Sequence, residues 1–381
     1  MRSGIELSEM IPLHEPDLRG AEREYLTRCI DDGWVSSAGP LVPAFEARIA
    51  ELSGRGQCVA TASGTSALHL ALVGLGVKPG DLVALPDWTF AASANAVRHA
   101  GAEPLFLDVS PGTWLLDPDQ VRQALSRYEG RIRAILFVYA LGLAARIDEV
   151  ERLAKDAGVP LLVDAAGALG ATAGTVPAGK WGKLACYSFN GNKIVTTGGG
   201  GAIVSDDADL ADSMRALSAQ SRSGPDYVHT AVAWNYRMPN INAALGLAQL
   251  ERLPEMLAAK KRIAETYDGA IAKRLDLVAM PRHRGSTHNN WLYSVRVASE
   301  QAAESLVAHL HRAGVQARTF WRSLSSQPPY RAFPRGDLNT SLALSGTVVS
   351  LPCSSSLQPT DQLRVLVALE SWRGPAVPAL Q

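Results

Sequence analysis

Short, continuous runs of apolar residues recur through the first half of the chain. Leu82–Pro86, Pro104–Val109, Ala134–Leu141, Pro160–Asp164, Ala185–Ser188 and Gly201–Ser205 predict strands, most of them buried on both faces. Gly64–Leu75, Phe90–Ala100 and Asp148–Ala157, which lie between some of these runs, predict helices. Such alternation predicts an α/β fold, a mostly parallel sheet covered by helices on both faces. In sheets of this kind ligands gather at the carboxyl ends of the strands.

The pattern changes after Asn235-Tyr236-Arg237-Met238-Pro239. Residues 240–274 predict long helix, with Pro254 as a break or kink. Strands follow at Trp291–Val297, Val315–Phe320 and Val348–Leu351, with helices near 300–313 and 359–372. This predicts a large domain over 1–245 and a smaller α+β domain over 246–381, with roughly the first 20 residues packing elsewhere. The tail from Gly374, rich in Pro and Ala, predicts a frayed end.

Composition narrows the function. The 381 residues carry 37 basic and 37 acidic side chains, a net charge of zero. No basic footprint points to nucleic acid or an acidic membrane surface. No apolar run reaches the ~18 residues of a membrane span. The start, Met1–Leu7, lacks the apolar core of a signal peptide. Cys29, Cys58, Cys186 and Cys353 form no CxxC pair, and the eight histidines show no metal spacing, so free thiols, a cytoplasmic protein and no metal are expected.

The chemistry concentrates around Lys193. A strand ends in Ser188; the Asn190-Gly191-Asn192 turn then presents Lys193, and Gly198–Gly201 let the backbone pass close to a bound group. Upstream, Pro160–Val163 ends in Asp164. A strand-end aspartate, a strand-end serine and one lysine are what pyridoxal phosphate requires. Lysine makes the covalent link, aspartate keeps the ring nitrogen protonated, and hydroxyls and amides take the phosphate. Ser63-Gly64-Thr65-Ser66 opens a helix whose free amides suit a phosphate, although alone it reads equally as an ordinary N-cap. Phe90, after the strand Leu82–Pro86, could stack on a planar ring or belong to the core.

These segments resemble the DegT/DnrJ/StrS family of nucleotide-sugar aminotransferases. The resemblance rests on Ser63–Leu68, Trp88–Phe90, Asp164–Ala166, Ser188–Lys193, Asn235–Arg237 and Ala244–Leu250. It implies the aspartate-aminotransferase-like fold (fold type I), a homodimer with active sites at the interface, and glutamate as amino donor. Lys193 would then bind the cofactor covalently and carry protons. Asp164 would pair with the ring nitrogen, Phe90 would stack on the ring and Ala166 would lie near its other face. Gly64, Thr65 and Ser188 would hold the phosphate. Asn235 would reach the phosphate in the neighbouring subunit, and Trp34, Arg237, His288 and Tyr330 would meet substrate.

A narrower resemblance, to enzymes that aminate C4 of UDP-4-keto-6-deoxy-N-acetylglucosamine, rests on Ile11–Pro16, Gly33–Gly39, Gly198–Gly201, Asn290–Tyr293 and Gln327–Tyr330. GDP-perosamine synthases are close relatives of that group. A GDP- or dTDP-linked substrate, amination at C3 and a non-catalytic regulator are the alternatives. Four places depart from the family pattern. Gly167 stands where Gln, Glu or His is usual, Ser63 where Asn is common, and Ser325 where a histidine is frequent. Tyr139–Leu143 replaces a common His-Leu-Tyr-Gly-His.

Overall fold

The computed structural model describes residues 10–145, 147–224 and 226–380; the Met1–Leu7 stretch lies outside them. The helices and strands of the first half are α1 (Glu22–Asp31), α2 (Leu41–Ser53), β1 (Gln57–Thr61), α3 (Gly64–Gly74), β2 (Leu82–Pro86), α4 (Ala91–His99), β3 (Glu103–Leu107), α5 (Pro118–Arg127), β4 (Ile132–Val138), α6 (Asp148–Asp156) and β5 (Leu161–Asp164). A short hairpin, β6 (Thr172–Ala173) and β7 (Val176–Pro177), precedes β8 (Leu184–Ser188), β9 (Gly201–Ser205) and α7 (Ala208–Ser218). A second hairpin, β10 (Arg222–Ser223) and β11 (Val228–His229), leads to α8 (Asn240–Glu251) and α9 (Leu253–Ile271).

Seven strands form one sheet in the order β1-β9-β8-β5-β4-β2-β3. β8, β5, β4, β2 and β3 run parallel, and β9 is antiparallel to both its neighbours, β1 and β8. Strands β2, β5 and β9 are buried along their full length, which is why they read as unbroken apolar runs. Helix α3 is buried almost all round, from Gly64 through Leu72, because it lies between the sheet and helices α4 and α7. Helix α6 instead buries one stripe, Val150, Leu153 and Ala154, as a surface helix does.

The remaining elements are β12 (Val278–Ala279), β13 (Tyr293–Arg296), α10 (Glu300–Arg312), β14 (Arg318–Thr319), α11 (Asn339–Leu344), β15 (Val348–Leu351) and α12 (Pro359–Ser371). They build a four-stranded antiparallel sheet, ordered β12-β13-β15-β14, with its own apolar core around Tyr267, Tyr293, Val349 and Leu306. Ile11 extends this sheet edge: its amide donates to Gly314 O at 2.8 Å, and its carbonyl accepts from Gln316 at 2.9 Å. Among the described residues no helix is long and apolar enough to cross a membrane.

Three expectations need correction, and one open alternative is resolved. The run Ala134–Leu141 leaves the sheet at Val138 and closes a 3-10 turn in which Leu141 has φ +57°. Val315–Phe320 pairs only over Arg318–Thr319, since Val315 bridges to Ile11 instead. Of the break or kink expected at Pro254, the break is what forms: α8 ends at Glu251 and α9 begins at Leu253. Pro254 sits in the first turn of α9, where no amide is required of it. The C-terminal tail is tied down: Gly374 N donates to Asp276 Oδ2 at 3.0 Å, Val377 N to Leu275 O at 2.8 Å, and Leu380 packs on the core.

Candidate active site

A cavity of about 310 Å3 opens at the carboxyl ends of the parallel strands. Gly64 and Thr65, Phe90, Asp164, Ala166, Ser188 and Lys193 all line it. Each comes from a strand end or from the residues just after one. Thr61, Pro86, Asp164 and Ser188 are the last residues of β1, β2, β5 and β8. The opposite wall is aromatic and comes from the second sheet's segments: Trp291, Phe320 and Trp321.

The phosphate-ready corner is built by backbone. The Ser63 hydroxyl accepts from Ser66 N at 3.0 Å, and the Ser63 carbonyl accepts from Ala67 N at 3.0 Å. The amides of Gly64 and Thr65, the first two of α3, remain without a protein acceptor among the described residues. They face the cavity beside Ser188. Any Cβ at Gly64 would lie 2.7 Å from the Ser188 Cβ, so glycine is needed for this approach. Gly201 passes as close to the Ser63 carbonyl, where a Cβ would come within 2.4 Å of the oxygen. The glycine run is held from behind by Asn242, whose Nδ2 donates to Thr197 O at 2.6 Å and Gly199 O at 3.1 Å. It is therefore a fixed floor rather than a loose loop.

Asp164 is fully enclosed. Its Oδ2 accepts from the Ser93 hydroxyl at 2.7 Å and its Oδ1 from Ala166 N at 3.0 Å. Burial raises its pKa, against the pull of those two hydrogen bonds and of the Lys193 charge. A protonated ring nitrogen is the partner that such a carboxyl lacks. Lys193 is half-buried as a residue, but its ammonium end is enclosed, and burial brings its pKa down to about 7, with Asp164 opposing. Its Nζ lies 3.3 Å from the centroid of the Trp291 ring. Two buried hydroxyls on the cavity wall, Thr89 Oγ1 and Tyr139 Oη, have no hydrogen-bond partner among the described residues. Open amides, unpartnered hydroxyls, an enclosed carboxyl and an amine of lowered pKa fit a planar, phosphorylated, aldehyde-bearing ring.

Other expected site residues lie elsewhere in this chain. Tyr330 does not line the cavity: it is 5% exposed, packs on Phe106 and donates to Asn95 Oδ1 at 2.6 Å. His288 does not line the cavity. It accepts from His283 N at 3.1 Å, and burial, then Arg282, lowers its pKa to about 3, so it stays neutral. Arg237 borders a separate cleft with Glu46 and Arg215, and Trp34 is exposed on the loop before α2. Asn235 is exposed, outside the cavity. Sequence reasoning gave no role to Ser93, Trp291, Phe320 or Trp321. For Ser93 a local signal existed: it lies one helical turn after Phe90, on the helix that opens at the end of β2.

Enzymes that carry pyridoxal phosphate place these groups around one cavity, and the fold and site assign the chain to that class. Comparison with known proteins narrows it. The DegT/DnrJ/EryC1/StrS aminotransferase family profile matches residues 16–370. A GDP-perosamine synthase of Caulobacter vibrioides is 37% identical over 365 residues, 94% of this chain and 97% of that protein. A putative pyridoxal phosphate-dependent aminotransferase, EpsN of Bacillus subtilis, is 34% identical, covering 95% of this chain and 96% of its own. The structure of DesI, determined in the presence of its TDP-sugar product, aligns with a TM-score of 0.86 at 32% identity, covering 95% of this chain and 92% of that one. The chain belongs to the DegT/DnrJ/EryC1/StrS aminotransferase family. It is a pyridoxal phosphate-dependent aminotransferase of nucleotide-linked sugars.

Proposed function

We propose that the enzyme moves an amino group from glutamate to carbon 4 of a GDP-linked 4-keto-6-deoxy sugar. The observation that carries the reaction is the enclosed Lys193 amine opposite Asp164 in a cavity with open amides at its phosphate end. The GDP-perosamine synthase that matches nearly the whole chain supports the nucleotide and the position on the sugar. The N-terminal and Asn290–Tyr293 motifs favour a second reading, a UDP-linked N-acetylated sugar aminated at the same carbon.

When bound, pyridoxal phosphate draws electrons from the carbon that carries the amino group, so the proton on that carbon becomes removable. Lys193 Nζ is the base that takes this proton from the donor's α-carbon and the acid that later delivers one to sugar carbon 4. An amine with a pKa of about 7 is suited to both directions near neutral pH. Asp164, fixed by Ser93 and Ala166 N, would pair with the ring nitrogen. Gly64 N, Thr65 N and the Ser188 hydroxyl would take the phosphate. Phe90 and Ala166, both on the cavity wall, would hold the ring.

A second copy of the chain completes this reading. Asn235 and Arg237 are exposed beyond the cavity, next to the apolar Tyr227, Val228 and Val232 of the β10–β11 hairpin region. In a homodimer these side chains would reach the neighbouring cavity. The test offers GDP-, UDP- and dTDP-linked 4-keto-6-deoxy sugars with glutamate and reads the amino sugar by mass spectrometry. Turnover with the GDP-sugar at least tenfold above the others supports the first reading, and preference for the UDP-sugar supports the second. No amino sugar from any of the three overturns both.

A further inference from the structure

We propose that Trp291 is a positioning residue for Lys193, its indole standing in the space that a side chain at position 167 would take and covering the lysine amine from the second sheet. The inference rests on the reading of Lys193 as the proton-carrying amine.

The geometry begins at Gly167. A Cβ there would lie 2.3 Å from Trp291 Cε3 and 2.9 Å from Cζ3. Gly167 is not among the glycines with positive φ, so its backbone conformation is open to any residue. The indole, not the turn, is what excludes a side chain. The space beside Gly167 is filled instead by a tryptophan that arrives from the second sheet's segment.

Trp291 meets both the lysine and the residue before it. Its ring lies 3.3 Å from Lys193 Nζ, and its Nε1 donates to the carbonyl of Asn192, the residue before the lysine, at 2.6 Å. One rigid side chain thus fixes both the backbone that presents the amine and the amine itself.

The backbone of the tryptophan is held from both sides. Asn289, 1% exposed, donates from Nδ2 to Gly167 O at 2.7 Å and to Leu169 O at 2.9 Å, and its Oδ1 accepts from Trp291 N at 2.9 Å. The strand-end turn after Asp164 and the tryptophan are therefore stapled by one amide side chain. Lys260, also 1% exposed, donates to Trp291 O and to Asn290 O, each at 3.3 Å. Between these clamps Asn290 takes φ +52°, a strained conformation that persists only where the surroundings enforce it.

The indole excludes water from one side of the amine, and exclusion disfavours the charged form, while the ring's own attraction for a cation acts the other way. Titratable groups that act on this cluster are Asp164 on β5 and His14 in the N-terminal segment. His14 is kept neutral by burial and by Lys260, which leaves Asp164 as the charge beside the amine.

The test uses Trp291→Phe, Trp291→Ala, Gly167→Ala and the double variant Gly167→Ala/Trp291→Phe, each first checked for folding by its melting curve. Trp291→Ala should lower kcat about tenfold to a hundredfold, as displaced catalytic groups do, with KM for glutamate little changed. Trp291→Phe keeps an aromatic cover and should recover most of that loss. Gly167→Ala should slow turnover, and the double variant should exceed it, because the smaller ring makes room for the methyl. In cofactor-free protein, the pH midpoint for reductive methylation of Lys193, followed by mass spectrometry, should rise from about 7 in the wild type toward the ordinary lysine value in Trp291→Ala. Trp291 variants with wild-type kcat and an unmoved midpoint overturn the proposal alone, as does a double variant whose losses simply multiply. A Lys193→Ala enzyme with wild-type turnover overturns the reading of Lys193 and this proposal with it.

Discussion

At the scale of single residues the site is a set of groups held in costly states. Lys193 is the clearest case. Its pKa falls from an ordinary lysine value of 10.5 to about 7 on folding, chiefly by burial. The unfolded chain therefore binds this proton more tightly, and the buried charge destabilises the cofactor-free fold below pH 10.5. That penalty is complete below pH 7, shrinks as pH rises from 7 to 10.5, and is gone above. Lys193→Met should accordingly melt higher than the wild type at pH 6, both without cofactor, with the difference closing by pH 10.5. A difference independent of pH would contradict the assignment. Ser93 belongs to the same scale, since its hydroxyl holds the enclosed Asp164 carboxyl at 2.7 Å. Ser93→Ala should cut kcat about tenfold, the equivalent of ~1.4 kcal/mol in the barrier, with amino-donor binding nearly unchanged. Steady-state kinetics over donor concentration checks this.

At the scale of elements, the segments that bring the aromatic wall to the sheet decide the cavity's shape. Asp87, fully buried at the end of β2, accepts from Ser325 N at 2.7 Å and from the Ser323 hydroxyl, and its carbonyl accepts from Leu324 N at 3.0 Å. Trp88 Nε1 donates to Trp321 O at 3.1 Å. One strand end thus anchors the loop that carries Phe320 and Trp321. Asp87→Ala leaves the Ser325 amide and the Ser323 hydroxyl buried without their partner, so it should cost about 2 kcal/mol in urea unfolding and weaken cofactor binding. Ser325, where relatives often have histidine, has its amide committed to this anchor. What the sequence made legible follows the same division. Strands β2 and β9 are continuous apolar runs, and their limits were readable residue by residue. β12 and β14 are two residues each and exist only by pairing with β13 and β15. No local pattern marks β12, while β14 lies inside the longer predicted run Val315–Phe320, most of which does not pair. The tail after Gly374 looked frayed because its Pro and Ala carry no periodicity, yet Asp276 and Leu275 capture its backbone.

At the scale of the whole molecule, the site joins two kinds of information. Lys193, Asp164, Ser188 and the Gly64–Thr65 amides are strand-end or helix-start features, and local sequence signals them because the turn that presents each is local. Trp291 and Trp321 arrive from segments about 100 and about 130 residues beyond Lys193; nothing near them announces a cavity. Tyr330 shows the converse: a tyrosine in a motif of the resemblance whose ring packs on Phe106 and whose hydroxyl donates to the exposed Asn95. The sheet sets where ligands gather, and the second sheet's segments set the cavity's apolar cover. Nucleotide preference belongs to this scale too: Asn235 and Arg237 are exposed outside the cavity, and in the proposed homodimer they would reach the neighbouring one.

The most direct test of the central claim is an absorption titration of the cofactor-loaded enzyme. Lysine-bound pyridoxal phosphate absorbs in the visible. Glutamate should bleach that band, and a GDP-linked 4-keto-6-deoxy sugar should restore it; Lys193→Ala should lack it from the start. A band that glutamate leaves untouched, or a Lys193→Ala protein with the wild-type spectrum, would contradict the account.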